Sequence, residues 1–173
     1  MTADDYKTLA TIAALAISLI SIWLTRRNWL EGNRPIVCAF VEEDSIGAGI
    51  ALFNFCISNT GSRPAVRISI RIKPSELEKL IDPNASQHER KLLHDCFKEE
   101  TTIPIIRNGE TLKAGLGSAS ESGAGKPQLQ YGASAEVKIY YRDLEGRKYV
   151  ATHPITIFPR DGFNGVGTWE KAV

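Results

Sequence analysis

The sequence lacks the features that define disulfide-stabilised and nucleic-acid-binding proteins. Its three cysteines, Cys38, Cys56 and Cys96, are an odd number at wide spacing and do not form a disulfide framework. A bridge between Cys38 and Cys56 is the alternative if the domain that carries them faces an oxidising compartment. Lys and Arg total 21 against 20 Asp and Glu, so a net charge of +1 provides neither a basic field for nucleic acid nor an acidic tail.

Recognisable catalytic and metal-binding motifs are also missing. The chain contains no G-x-S-x-G nucleophile elbow and no H-E-x-x-H zinc motif. His94 and Cys96 are two residues apart in a predicted helix, so they point in different directions and cannot chelate one metal. The glycines of 115–120 and Gly125-Lys126 lack the residues and the following helix of a phosphate-binding loop. We therefore expect no cofactor, no metal and no enzymatic activity, with an enzyme of unfamiliar site as a minor alternative.

One long hydrophobic run is present, and it lies at the N-terminus. Leu9 to Leu24 carries no charge, and Tyr6 to Thr25 is about long enough to cross a bilayer as a helix. We predict an N-terminal transmembrane anchor over residues 1–27. A cleaved signal peptide is the alternative, but the basic N-terminal region and the small-residue cleavage site that it needs are missing. Residues placed to anchor the membrane interface are Trp23, Arg26, Arg27 and Trp29.

The flanking charges predict an orientation for this anchor. Arg26, Arg27 and Arg34 follow the hydrophobic run, whereas Lys7 alone precedes it. Because basic residues are retained in the cytoplasm, we expect a cytoplasmic C-terminal domain and an external N-terminus, with the inner membrane of a bacterium as the location.

Small residues recur along the anchor at helical spacing. Ala10, Ala14 and Ser18 lie at i, i+4 and i+8, which would let a second helix approach closely. Self-association of the anchor is one interpretation of this pattern. Ordinary lipid-facing Ala and Ser residues are an equal alternative.

The remaining sequence indicates one β-rich domain. A juxtamembrane linker is expected at 28–34, the domain at 35–159, a helical insertion at 75–99 and a flexible tail at 160–173. Alternation of apolar and polar residues, as in Val66, Ile68, Ile70 and Ile72, predicts strands with one buried face. Capping-box patterns begin at Ser75 and Ser86. The predicted strands are 36–41, 50–58, 65–72, 101–107, 110–116, 133–142 and 147–158, and an Asn108-Gly109 hairpin is expected to pair the fourth with the fifth.

About seven short strands separated by turn residues favour a mainly β fold, an immunoglobulin-like antiparallel β-sandwich with a short helical insertion, preceded by one transmembrane helix. A small barrel is the alternative. The strand ending at Asn59-Thr60-Gly61 and the hairpin at 141–146 carry this pattern. The layout resembles the immunoglobulin-like sandwiches that are common in binding and adhesion modules.

These features favour a membrane-anchored, non-enzymatic binding or assembly module. The bilayer and a protein partner or a second copy are the expected partners, and nucleic acid is not. A membrane effector that perturbs the bilayer is one alternative, and a surface-binding domain of reversed topology is another. The candidate partner contacts are Arg63, Arg67, Arg71 and Trp169, and the three arginines could also meet anionic headgroups. A solvated sheet face is the simpler interpretation of the arginines.

Overall fold

The computed structural model describes residues 3–47, 49–98, 102–121 and 125–158. The chain divides between Arg34 and Pro35 into two compact units. The first unit is helix α1 (Ala3–Gly32), of 30 residues, none of them buried. It is long and apolar enough to cross a membrane, as a membrane anchor or a signal sequence would be.

Helix α1 continues through most of the predicted linker at 28–34. No proline interrupts the chain before Pro35, and Arg27 Nε donates to Glu31 Oε1 at 3.0 Å one turn further on. At the end of the helix, Asn33 Nδ2 donates to the carbonyl oxygen of Trp29 at 2.8 Å. The helical segment therefore extends five residues beyond the expected end at residue 27.

The second unit is mainly β and contains two antiparallel sheets. One sheet has the order β1-β2-β5 and the other β4-β3-β6-β7. Two helices follow β3, in the place of the predicted insertion. The elements are β1 (Val37–Gly47), β2 (Ile50–Asn59), β3 (Ala65–Ile72), α2 (Pro74–Leu80), α3 (Gln87–Cys96), β4 (Thr102–Ile106), β5 (Thr111–Ala119), β6 (Ser134–Arg142) and β7 (Lys148–Thr156).

A single hydrophobic core takes side chains from both sheets and both short helices. On β6 the predicted alternation is confirmed, because Ala135, Val137, Ile139 and Tyr141 are all buried. The core draws no buried residue from α1. The core of the β-rich unit therefore needs no side chain from α1.

The alternation predicted along β3 is interrupted. Arg67 has a φ of +52°, and the pairing of β3 with β6 shifts between Val66 and Ser69. This bulge makes Ala65 and Ile68 the fully buried residues and leaves Val66 only partly buried. An extra residue in a strand changes which face the next side chains occupy, and this change of phase is not visible in the sequence pattern.

The predicted hairpin at Asn108-Gly109 is wrong in its pairing. The turn exists, with Gly109 at a φ of +73°, but β4 pairs with β3 and β5 pairs with β2. The turn therefore crosses from one sheet to the other. The N–H of Gly109 donates to the carbonyl oxygen of Asn59 at 2.9 Å, which holds the turn against the end of β2.

One of the two predicted capping boxes is confirmed. Ser86 accepts from the backbone N–H of Glu89, and the Glu89 side chain accepts from the Ser86 backbone N–H. At the other position the prediction is wrong, because Lys73 is the N-cap residue of α2 and makes no side-chain cap bond. Pro74 occupies the first turn, where its missing N–H costs nothing, and so the helix begins before Ser75.

Both edges of the four-stranded sheet carry a proline within the strand. Pro104 lies in β4 and Pro154 lies in β7. A proline ring supplies no N–H to a neighbouring strand and is tolerated at sheet edges for that reason.

One further prediction differs from the structure, and one alternative is not realised in it. The polar loop expected at 115–127 is strand as far as Ala119, within β5. Cys38 lies opposite Ser58, and Cys56 lies opposite Phe40, so the alternative Cys38–Cys56 bridge is not formed and all three cysteines are free thiols.

Candidate functional surfaces

The small-residue face of α1 is exposed along its length. Ala10, Ala14 and Ser18 are all exposed and follow one another at four-residue intervals. The Ser18 hydroxyl donates to the carbonyl oxygen of Ala14 at 2.9 Å, so its hydrogen-bonding capacity is met within the helix. The face therefore presents only small side chains, which lets the backbone of a second helix approach closely.

The predicted membrane-interface residues lie on the last turns of α1. The Arg27 guanidinium stacks over the Trp23 ring, 5.7 Å from its centroid, and also bonds to Glu31. Trp29 is exposed. Arg26 is exposed as well. Aromatic rings next to guanidinium groups are typical of the headgroup region of membrane helices.

The three arginines predicted as partner contacts do not form one continuous strip. Arg63 forms an ion pair with Glu145, which ties the β2–β3 connection to the β6–β7 turn. The hydrogen bond from Arg63 to Glu145 raises the pKa of the guanidinium above its ordinary value. Arg67 lies at the bulge of β3, where the alternation of faces is interrupted. Trp169, with the tail at 160–173, lies outside the described residues.

Arg71 belongs to a larger basic surface on the outer side of the four-stranded sheet. It pairs directly opposite Lys138 of β6, and its guanidinium lies 5.0 Å from the centroid of the Tyr140 ring. Opposite pairs on one face of a sheet have their side chains within contact distance. We define the basic sheet face as Arg71, Lys138, Tyr140, Arg142, Lys148 and Val150, which share this side through cross-strand pairing.

Sequence reasoning missed most of the basic sheet face. Lys138, Tyr140 and Arg142 alternate with the buried residues of β6, and this signal was visible in the sequence. What joins them to Arg71 and Lys148 is the register of three strands, which depends on distant pairing. Periodicity can identify the face of a strand, but it does not identify that strand's neighbours.

A surface pocket of about 510 Å³ lies between α3 and strands β2 and β5. Leu52 and Leu92 contribute exposed apolar surface, while Glu89 and Gln128 contribute polar groups. Gly117 has a φ of +151°, and a Cβ there would lie 2.8 Å from Gln128 Oε1. Any other residue at position 117 would therefore be strained by this backbone conformation and crowded against Gln128.

The thiol and imidazole groups near this pocket are poorly suited to nucleophilic chemistry. Burial raises the pKa of the Cys96 thiol, with a further contribution from Asp95, and so favours the unreactive protonated form. His94 Nε2 lies 2.9 Å from Glu78 Oε1, so this imidazole nitrogen contacts a carboxylate and not the Cys96 thiol. Within the described ranges, no group of three or more His, Cys, Asp or Glu side chains is arranged to hold a metal ion.

The β6–β7 turn contains a buried carboxylate. Asp143 accepts from the backbone N–H of Arg147 at 2.8 Å and from the Tyr149 hydroxyl at 3.0 Å. Burial raises the pKa of Tyr149, and the hydrogen bond to Asp143 and its negative charge raise it further. The Tyr149 ring also stacks on Tyr141, with centroids 5.5 Å apart. These contacts make the turn a rigid structural element.

These features define a class of protein with an apolar N-terminal helix and a mainly β domain of two antiparallel sheets. The chain belongs to the family described as Domain of unknown function (DUF8453), whose family model matches residues 6–159. The match includes most of α1 together with the β-rich unit. No curated protein matches the chain.

Proposed function

We propose that the protein is a single-pass membrane protein whose cytoplasmic β domain is a non-enzymatic binding or assembly module. The observation that carries this proposal is the contrast between the two units. Helix α1 is long, apolar and without a buried residue, whereas the β domain has its own core. An apolar helix that the fold does not bury is stable in a bilayer and costly to expose to water.

An uncleaved anchor accounts better for α1 than a removable signal sequence. The family model begins at residue 6 and runs through the helix into the β domain, which supports a helix that is retained with the domain. The helix also continues to Gly32 without a break. Arg26, Arg27 and Arg34 on one side against Lys7 on the other support a cytoplasmic β domain.

An immunoglobulin-like sandwich is the arrangement that we propose for the two sheets. The order β1-β2-β5 corresponds to strands A, B and E of that fold, and β3-β6-β7 corresponds to C, F and G. Strand β4 pairs beside β3, as an additional strand of the C-F-G sheet would. The shared core between the sheets supports the same arrangement.

Paired C-terminal reporters on the full chain test this proposal, one active only in the cytoplasm and one only outside it. The expected result is cytoplasmic activity alone, with a membrane fraction that resists alkaline extraction and an intact N-terminus by mass spectrometry. External activity would overturn the cytoplasmic orientation in favour of an envelope or surface role. Cleavage after α1 would overturn the anchor itself.

A second candidate is a membrane effector whose anchors cluster to perturb the bilayer. The exposed face of Ala10, Ala14 and Ser18 favours it, because a second helix can approach such a face closely. Ala14→Leu should reduce the oligomer observed in detergent and any toxicity on overexpression. Ala16→Leu is the matched control, since Ala16 lies on the opposite side of the helix. Clustering through this face would be excluded if both variants had the same effect, or if neither had any effect.

A further inference from the structure

The basic sheet face holds like charges in direct opposition. Arg71 lies opposite Lys138, and Arg142 lies opposite Lys148. Like charges at opposite positions of a sheet destabilise the pairing. The Arg142–Lys148 pair is therefore unfavourable on its own, and binding of an anionic partner would offset its repulsion.

Few carboxylates lie at the described positions of this face. Among the paired positions of β3, β6 and β7 on this side, Glu136 is the single acidic residue, and it lies at the far end, opposite Pro154. Within the described part of the chain, Lys138, Arg142 and Lys148 take part in no ion pair. Their charges are available to a partner outside the domain.

The centre of the face combines this charge with exposed nonpolar surface. Tyr140 is 37% exposed and lies opposite Val150, which is 60% exposed. The Arg71 guanidinium stacks on the Tyr140 ring and so presents its charge beside an amphipathic aromatic group. Tyrosine next to Lys and Arg on a flat surface is suited to the boundary between lipid headgroups and water.

We propose that the basic sheet face binds the anionic phospholipid headgroups of the membrane to which the chain is anchored. The inference rests on the proposed function, because α1 keeps the domain at the membrane and raises its effective concentration there. The cytoplasmic leaflet is rich in anionic lipid and attracts nearby Lys and Arg. Phosphate groups would accept from Lys138, Arg142 and Lys148, while Tyr140 and Val150 meet the interfacial region.

The test uses the domain from Pro35 to the C-terminus, which retains the whole core. Its cosedimentation is measured with vesicles of phosphatidylcholine alone and of phosphatidylcholine mixed with phosphatidylserine. Binding to the mixed vesicles only is expected, and it should weaken as salt concentration rises. Lys138→Gln with Lys148→Gln should weaken binding about thirtyfold, since each basic residue near an anionic surface contributes about fivefold.

The matched control removes the same charge elsewhere, by Lys91→Gln with Lys126→Gln, both exposed and outside the basic sheet face. This variant should bind as the unaltered domain does. Equal weakening in the control, or no binding of the folded, unaltered domain to the mixed vesicles, would overturn the inference. Retention on immobilised polyglutamate without vesicle binding would also overturn it and point to an acidic protein partner.

This experiment is independent of the topology of α1. A domain that ignores anionic vesicles while the full chain remains an integral membrane protein overturns only the headgroup surface. Cleavage of α1 in the full chain overturns the anchor, and the vesicle measurement still reports on the face.

Discussion

The side-chain amide nitrogen of Asn59 donates to the carbonyl oxygen of Ile106 at 3.2 Å, and so joins the last residue of β2 to the last residue of β4 in the other sheet. The same nitrogen donates to the carbonyl oxygen of Arg63 at 2.7 Å. Its side-chain oxygen accepts from the backbone N–H groups of Ile36 and Gly61. A single buried amide thus satisfies the ends of several connections.

Replacing Asn59 should destabilise the domain strongly. Asn59→Ala leaves buried backbone groups without partners, at about 1–3 kcal/mol each, so we expect a loss of more than about 3 kcal/mol in the free energy of unfolding. Chemical denaturation of the β domain measures this change. Asn84→Ala is the control, because Asn84 is exposed, and its stability should stay close to that of the unaltered domain. Similar losses in both variants would contradict the central role of Asn59.

Gly117→Ala should destabilise the domain by about 1–3 kcal/mol through steric conflict and backbone strain. A Cβ at this position would lie 2.8 Å from Gln128 Oε1 and 3.2 Å from Leu129 Cγ. Gly115→Ala, two residues earlier in β5, meets nothing within 4 Å and should be close to neutral. Thermal unfolding of both variants provides the comparison, and a neutral Gly117→Ala would mean that the Gln128 segment moves aside.

Ser86→Ala should cost about 1 kcal/mol, whereas Ser75→Ala should cost almost nothing. Ser86 caps α3, but Ser75 lies inside α2 and caps no helix end. Amide hydrogen exchange should show faster exchange in α3 for the first variant and unchanged exchange in α2 for the second. Equal protection of α3 in the Ser86 variant would show that tertiary packing alone holds this helix.

The cap of α3 should weaken in acid. Hydrogen bonds from the Ser86 hydroxyl and backbone lower the pKa of the Glu89 carboxyl below its ordinary value. A carboxyl group whose pKa is lowered by folding stabilises the folded domain at pH values above its ordinary pKa. This stabilisation is lost as the pH falls through the pKa of the group in the folded domain. Protection factors in α3, which correct the exchange rate for its intrinsic dependence on pH, should therefore fall at low pH, and Glu89→Ala should reduce that fall.

Tyr149→Phe should lower stability by about 1–3 kcal/mol, because it removes a hydrogen bond to a buried carboxylate. The pKa of Tyr149 is raised, mainly by burial, so the native fold favours the protonated phenol. That contribution is present below the ordinary tyrosine pKa and is lost as the pH rises through the raised value. Alkaline unfolding should accordingly be less steep in Tyr149→Phe. An unchanged alkaline profile would mean that other groups cause the loss of stability at high pH.

Local features of this fold were predictable from the sequence, and distant pairings were not. The burial of alternate residues on β6 and the capping box at Ser86 depend on neighbours within a few positions, so a pattern can reveal them. The partner of β4 depends on whether the Asn108-Gly109 turn stays within one sheet or crosses to the other. In the structure the turn is hydrogen-bonded to Asn59, about fifty residues away in the chain, and no local pattern indicates this contact.

The candidate surface was predicted only in part for the same reason. Arg71 was identified from its own strand, but Lys138 and Lys148 join it only through the register of β3, β6 and β7. The bulge at Arg67 changes the phase of β3 without an obvious signal, since a positive φ is unusual for arginine. The residues around Arg63 do not indicate its ion pair with Glu145, because that pair depends on a turn far away in the chain.

Pro104 and Pro154 have a consequence for crowding. If neighbouring anchors bring several copies together, the β domains are held at high local concentration, a condition under which open sheet edges fuse into continuous β-structure. Each proline leaves a gap in the ladder that an incoming strand would need. At the two edges of the four-stranded sheet, copies would then meet side chain to side chain rather than strand to strand.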